Sequence, residues 1–305
     1  MNNIYFDNND DLIDIRIDGV FKAVFTRNTP AARGALSGLV SALIGRNVDI
    51  ISILSNEPPI DSIGDRQLRF DINCRADNGE LLNVEMSFNP KSFELIRLEF
   101  HAAKLFAGQD IKGKGYKDLK QAYQIAILAK DHFFPDNEFY HIFEYYDKRH
   151  RVTLNGLSRI ITIELTKLKT IVEKPAARMS NPERWAVYFE YLTDPGKRSK
   201  INEIVKLEGG IAMASEVLLT ISRDEEERAR IMRAEKTELD YISYINEAKE
   251  LGHAEGHAEG HAEGHTEGIT EGIEIGEKKS NKYVLQLIEQ GCTMEEIKQC
   301  LENRT

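Results

Sequence analysis

Two carboxylates offer the most direct chemistry in this sequence. Asp71 and Glu85 flank a turn in the stretch QLRFDINCRADNGELLNVEMSF, whose residues alternate strictly on both sides of it. Leu68, Phe70, Ile72 and Cys74 fall on one face, and Arg69, Asp71, Asn73 and Arg75 on the other. On the return, Leu82, Val84, Met86 and Phe88 are apolar while Asn83, Glu85 and Ser87 lie opposite. The two apolar faces must coincide, and that parity selects the turn. A two-residue Asn78-Gly79 loop sets Asp71 against Met86 and fails. A three-residue Asp77-Asn78-Gly79 loop with a left-handed glycine pairs residue 76 with 80 and sets Asp71 against Glu85. Directly opposed side chains have Cβ atoms about 4.5–5.5 Å apart. Two carboxylates at that spacing repel by about 3 kcal/mol at an effective dielectric of about 20. A divalent cation reverses the sign, and Mg²⁺ takes one or two carboxylates with water and phosphate oxygens completing its shell. The alternative is a solvated sheet face on which Arg69 and Arg75 neutralise the acids.

An α/β order of elements surrounds this hairpin. Thr29-Pro30 predicts a helix start, with threonine as N-cap and proline in the first position, running to near Gly45. Residues 48–54 (VDIISIL) predict a short buried strand. An amphipathic helix is expected over 92–107, with Arg97, His101 and Lys104 on one face and Leu95, Leu98, Ala102 and Leu105 on an adjacent one. QAYQIAIL, FYHIFEYY and SRIITIEL predict three more strands. From Asn181 the chain turns helical, with Trp185, Tyr188 and Phe189 in the core. A second helix is expected over 201–222 and a long charged one over 224–250. The expected organisation is a globular region over 1–175, a helical region over 176–250, a repeat over 251–276 and a C-terminal helix pair over 277–305.

The repeat, GHAEGHAEGHAEGHTEGITEGIEIG, places glycine at every fourth residue from 252 to 276. Its histidines, His253, His257, His261 and His265, have a spacing that on a helix lets neighbours share a metal such as zinc. A period of four drifts by about 40° per repeat, however, so the stripe winds around the helix and builds no single pocket. Each glycine costs about 1 kcal/mol of helix stability. An extended or marginally helical spacer is the expected form. Beyond it, Gly291 is a helix stop and Thr293-x-x-Glu296 a capping box, and these C-terminal helices are a route to a homo-oligomer.

Charge is unevenly placed along the 305 residues. The net charge is −10, and residues 223–277 alone hold 16 acidic against six basic residues, so the remainder is formally neutral. No apolar run approaches the roughly 18 residues of a membrane span. The N-terminus, MNNIYFDNNDDLIDIR, is acidic where an export signal is basic and then apolar. Three cysteines, Cys74, Cys292 and Cys300, without CxxC spacing, fit reduced thiols, so a cytoplasmic protein is expected. Seven basic residues against three acidic ones in 97–130, and eight against three in 145–180, are candidate phosphate contacts, which set affinity and not sequence choice.

Several motifs in order resemble the PD-(D/E)XK nuclease family transposases, the recombination-promoting nucleases of the Rpn family. They are Asp18-x-x-Phe21-Lys22-x-x-Phe25, Phe70-Asp71-Ile72, Asn83-Val84-Glu85-Met86, Arg97 with Lys104-Leu105-Phe106, and Gly115-Tyr116. Further along come Ile163-Glu164-Leu165-x-Lys167 and Arg233-x-Glu235-Lys236-x-x-x-Asp240, followed by the glycine repeat. The resemblance implies a restriction-endonuclease-like core, a central mixed sheet flanked by helices, that cuts DNA with Mg²⁺ (or Mn²⁺). Asp71 matches the metal-binding aspartate, Glu85 the second acidic ligand and Asp18 the acid of the first helix. Ser87 stands where the wider superfamily has lysine and this branch glutamine; Lys91, Arg97 or Lys104 are the expected substitutes for that charge. His101 stands where tyrosine is common, and is expected either to contact phosphate or metal or to lie half-exposed beside Arg97. The alternative function is a catalytically degenerate DNA-binding or assembly protein of the same fold.

Overall fold

The computed structural model describes residues 4–55, 70–90, 92–109, 115–130, 132–154 and 156–302. It divides into two units, residues 1–236 and residues 237–305. The first holds a six-stranded sheet made of β1 (Ile50–Ile53), β2 (Ile72–Ala76), β3 (Leu81–Ser87), β4 (Ala122–Leu128), β5 (Tyr140–Phe143) and β8 (Ser158–Glu164), in the order β1-β2-β3-β4-β8-β5. Strands β3, β4 and β8 run parallel, and the other pairings are antiparallel. A separate two-stranded hairpin, β6 (Tyr146–Asp147) with β7 (Val152–Thr153), lies between β5 and β8 in the chain. The mixed sheet is the expected one.

Alternation along the strands assigns the two faces. Ile72, Cys74, Leu82, Val84, Met86, Tyr123, Ile125, Ile127, Ile161 and Ile163 belong to one large apolar core. That core is closed by α1 (Asp18–Thr26), α2 (Pro30–Ile44), α4 (Asn181–Tyr191), α5 (Arg198–Leu207) and α6 (Gly209–Arg223). The opposite face is covered by α3 (Glu94–Ala107), which packs on β3, β4 and β8. Helix α2 starts where the sequence places it: Thr29 Oγ1 accepts the Ala32 N–H at 3.1 Å with Pro30 in the first turn, and Gly45 ends it in the left-handed conformation.

The helix expected over 201–222 is two helices. The chain turns at Glu208, between α5 and α6, because Gly209-Gly210 propagates a helix poorly and Gly210 lies against Gly38 of α2. A Cβ on Gly210 would stand 2.9 Å from Gly38 Cα and 3.1 Å from Trp185.

The second unit consists of the C-terminal part of α7 (Glu225–Glu289) and of α8 (Met294–Glu302). The repeat is therefore helical throughout, so of the two expected forms, extended or marginally helical, the extended one is not adopted. A Cβ on any of its glycines from Gly252 to Gly276 would meet nothing within 4 Å. The stop is as expected: Gly291 is left-handed, the Cys292 N–H reaches Leu287 O, and Thr293 shares two hydrogen bonds with Glu296. No helix among the described residues is long and apolar enough to cross a membrane.

The same substitution should have opposite signs in the two units. Gly210→Ala forces α6 away from α2 and should cost about 1–3 kcal/mol in urea unfolding. Gly256→Ala meets open space and should raise helical content on heating, by about 1 kcal/mol of local stability; circular dichroism reads it.

Candidate active site

The β2–β3 hairpin is built by its turn. The Ala76 N–H bonds Glu80 O at 3.0 Å, the Gly79 N–H bonds Ala76 O at 2.9 Å, and Gly79 has φ +86°. The loop is thus Asp77-Asn78-Gly79, and the ladder pairs Ile72 with Val84 and Asn73 with Asn83. Asp71 is the next residue outward, in line with Glu85, and its Oδ2 accepts the Met86 N–H at 3.2 Å. This is the register that parity requires. Phe70 departs from the expected face. The chain bends at Asp71, and Phe70 packs with Leu105 and Ala122 on the α3 side, edge-on to His101. Leu68 and Arg69 lie outside the described residues.

Glu85 is 1 % exposed. Its Oε1 lies 2.5 Å from His101 Nδ1 and accepts a 2.7 Å hydrogen bond from Asn83 Nδ2, which also donates to Gln124 Oε1 at 2.9 Å. Its Oε2 makes no hydrogen bond with the described residues and has an ion pair with Arg97 at 3.3 Å. Arg97 also pairs with Glu94 of its own helix. Arg97 and His101 are four residues apart on α3, so one turn delivers both to the same carboxylate. His101 was expected to touch phosphate or metal or to lie half-exposed; it is 4 % exposed and bound to Glu85 instead.

The other carboxylate is met from α1. Lys22 Nζ lies 2.7 Å from Asp18 Oδ2 and 3.2 Å from Asp71 Oδ1, so a single ammonium bridges both acids. Sequence reasoning missed Lys22 as a site residue, although its spacing from Asp18 is that of an i,i+4 helix pair. It also missed Asn83, which shares the polar face of β3 with Glu85, and Gln124, a polar position in the otherwise apolar β4. Among the described residues the neutralising cations are Lys22 and Arg97, while Arg75 is exposed.

Of the expected substitutes for a charge at position 87, Arg97 reaches the site, Lys104 is exposed on α3, and Lys91 lies outside the described residues. Ser87 is half-buried at the end of β3. Part of the 145–180 basic segment is committed internally: the Lys167 side chain is 4 % exposed, pairs with Glu164 at 2.5 Å and bonds the carbonyls of Phe134 and Glu138. Among the described residues no group of three or more His, Cys, Asp or Glu side chains is placed to hold a metal, in the histidine repeat or elsewhere.

The two carboxylates are tuned in opposite directions. Burial pushes Asp71 up to about 6, opposed by Lys22 and reinforced by Asp18 and Glu85. Burial acts on Glu85 in the same sense but is outweighed by His101, Arg97 and Asn83, so its carboxyl is held below the usual range.

A mixed α/β sheet carrying an Asp and a Glu on adjacent strands, with helices on both faces, is the architecture of a restriction-endonuclease-like protein. Residues 15–248 match the family model described as PD-(D/E)XK nuclease family transposase, and the chain belongs to that family. No curated protein and no solved structure matched it.

The opposed shifts predict opposed stability effects. Asp71's raised pKa means its contribution is full below its unfolded value near 4 and is lost as pH rises through about 6. Asp71→Asn should therefore be at least as stable as wild type at pH 7.5, by about 1–2 kcal/mol, with the gain vanishing near pH 4. Glu85 has the reverse sign, its contribution being lost as pH falls. Glu85→Gln should cost about 1–3 kcal/mol at pH 7.5 by leaving buried partners unmatched. Urea titrations across pH test both.

Proposed function

We propose that the protein is a divalent-metal-dependent DNA endonuclease that hydrolyses phosphodiester bonds, with Asp71 and Glu85 as its metal-holding pair. The observation that carries this is the buried Glu85 carboxylate, fixed by His101 and Asn83, with one oxygen making no hydrogen bond and Asp71 beside it. Such a donor set suits Mg²⁺ or Mn²⁺, hard cations that take oxygen ligands and complete their shell with water and substrate phosphate. Bound there, the cation would supply Lewis acidity and a more acidic water.

The chain's own residues do the remaining work in this reading. His101 and Asn83 hold Glu85 in one orientation. Arg97 keeps the surroundings cationic, which suits an approaching phosphate. Lys22 neutralises Asp71, and when Asp71 is engaged elsewhere its ammonium stays beside Asp18, where it provides the charge that the Ser87 hydroxyl cannot. Ser87 retains the capacity to hydrogen-bond a water.

Purified protein should nick supercoiled plasmid with Mg²⁺ or Mn²⁺. Asp71→Ala and Glu85→Ala should each abolish nicking, and Lys22→Gln should lower it about 100-fold, the scale of losing one electrostatic stabiliser. Retention of DNA binding without cleavage in any metal would sink the hydrolase reading. It would favour the second one, a degenerate DNA-binding or assembly module, for which the uncharged Ser87 is the specific observation. Recovery of cleavage in Ser87→Lys or Ser87→Gln would then identify position 87 as the defect. A homo-oligomer through the C-terminal helices belongs to the same proposal, supported by exposed Ile269, Ile273, Leu285 and Ile288.

A further inference from the structure

Residues 142–154 are exposed without interruption, although they include Ile142, Phe143, Tyr145, Tyr146, Val152 and Leu154. The segment is ordered by its own bonds. Tyr146 pairs with Thr153 and Asp147 with Val152, and the Leu154 N–H bonds Tyr145 O at 2.9 Å. At the tip, Lys148-Arg149-His150-Arg151, Asp147 Oδ1 accepts the N–H groups of Arg149 at 2.8 Å and His150 at 3.3 Å. Asp147 Oδ2 pairs with His150 Nδ1 at 2.6 Å, and the Arg151 N–H reaches Asp147 O at 2.9 Å with Arg151 at φ +56°. The turn therefore consumes the only carboxylate of the tip. Lys148, Arg149 and Arg151 form no ion pair with any described residue, while at the base Arg159 is paired with Glu144.

Three cations at the tip of an ordered turn, on a hairpin that carries two exposed tyrosines, match a sugar-phosphate backbone. Guanidinium and ammonium groups bind phosphate, and aromatic faces lie against sugars or unstacked bases. A turn already ordered by Asp147 presents those cations without a further cost of ordering the backbone. We propose that the β6–β7 hairpin is a DNA-backbone clamp, in which Lys148, Arg149 and Arg151 contact phosphates and Tyr145 and Tyr146 flank them. The identity of the polyanion rests on the nuclease reading; the surface itself does not.

The hairpin leaves the sheet three strand spacings from β3 and beyond the N-terminal end of β8, the end away from Glu85, which is level with Thr162. Strand spacing and rise put its base about 20 Å from Glu85. Half a duplex turn is about 17 Å. The clamp would thus hold phosphates half a turn or more from the cut, fixing DNA without reading its sequence.

The test is the full-length protein titrated into a fluorescent random-sequence duplex with EDTA present, over a range of salt. The variant is Lys148→Ala/Arg149→Ala/Arg151→Asn, asparagine being chosen because it tolerates the left-handed backbone. It should bind at least tenfold more weakly at fixed salt, with the slope of log K against log salt reduced by about 2–3, since each phosphate contact contributes about 0.9. Arg149→Lys should keep the wild-type slope while Arg149→Glu should lower it, and both must show wild-type circular dichroism, so a misfolded triple variant cannot decide the matter. An unchanged slope overturns the proposal, as does wild type without duplex affinity. A variant that changes only the sedimentation behaviour also overturns it and assigns the face to a second copy of the chain. Because EDTA removes cleavage from the assay, binding through the hairpin without nicking sinks only the hydrolase reading, and nicking with an unchanged slope sinks only the clamp.

Discussion

A glutamate carboxylate buried to 1 % exposure is the constraint around which this fold is arranged. An isolated buried carboxylate neutralises itself by taking up a proton, whereas Glu85 is held ionised by its neighbours. Two of those neighbours, Arg97 and His101, belong to α3, so the helix must cross the sheet at Glu85. Small side chains on β4, Ala122 and Ala126, let it do so. They form the floors of two minor apolar clusters, one with Phe70 and Leu105 and the other with Leu98 and Leu128, on either side of the polar seam. The clusters help bury the Glu85 carboxylate and His101, which strengthens the charge interaction between those two.

This face of the sheet is poorly designed for stability. Asn83 Oδ1, Gln124 Nε2 and Thr162 Oγ1 are buried and form no hydrogen bond with the described residues. Each such group carries a desolvation penalty of about 1–3 kcal/mol. The other face supports that cost, with a single apolar core running from Phe6 to Ile231 and an aromatic group of Phe21, Phe25, Trp185 and Phe189. The division of labour also separates the two acids chemically. Two carboxylates with pKa values pushed apart can serve as a fixed anion and a group near its titration point, which equal neighbours cannot.

The parts of this arrangement legible in the sequence are those fixed by short-range rules. Alternation and one glycine determine the hairpin and its register, and Thr29-Pro30 and Thr293-x-x-Glu296 mark helix starts by their capping chemistry. The illegible parts depend on tertiary partners. Phe70 follows the alternation in sequence but changes sides because the chain bends at Asp71. His101 reads as half-exposed until the helix carrying it is known to face Glu85. The break at Glu208 has a local signal in Gly209-Gly210, but the packing of Gly210 on Gly38, which is far away in sequence, is visible only in three dimensions. Lys22 carried a legible local signal, its spacing from Asp18, but its contact with Asp71 joins α1 to the start of β2 and is visible only in three dimensions.

Net charge misleads about this molecule for a related reason. The formal −10 resides in residues 223–277, within and around the repeat, and the body is formally neutral. Neutrality in turn hides how the cations are spent. Lys22, Arg97 and Lys167 are engaged with Asp71, Glu85 and Glu164, and Arg16, Arg46 and Arg159 with other acids. Paired cations release few counterions, so they contribute little to binding a polyanion. Any affinity for a polyanion has to come from cations without an acidic partner, and the tip of the β6–β7 hairpin holds three of these within four residues. The acidic segment carries the net negative charge, and that sum therefore says little about which cations the body leaves unpaired.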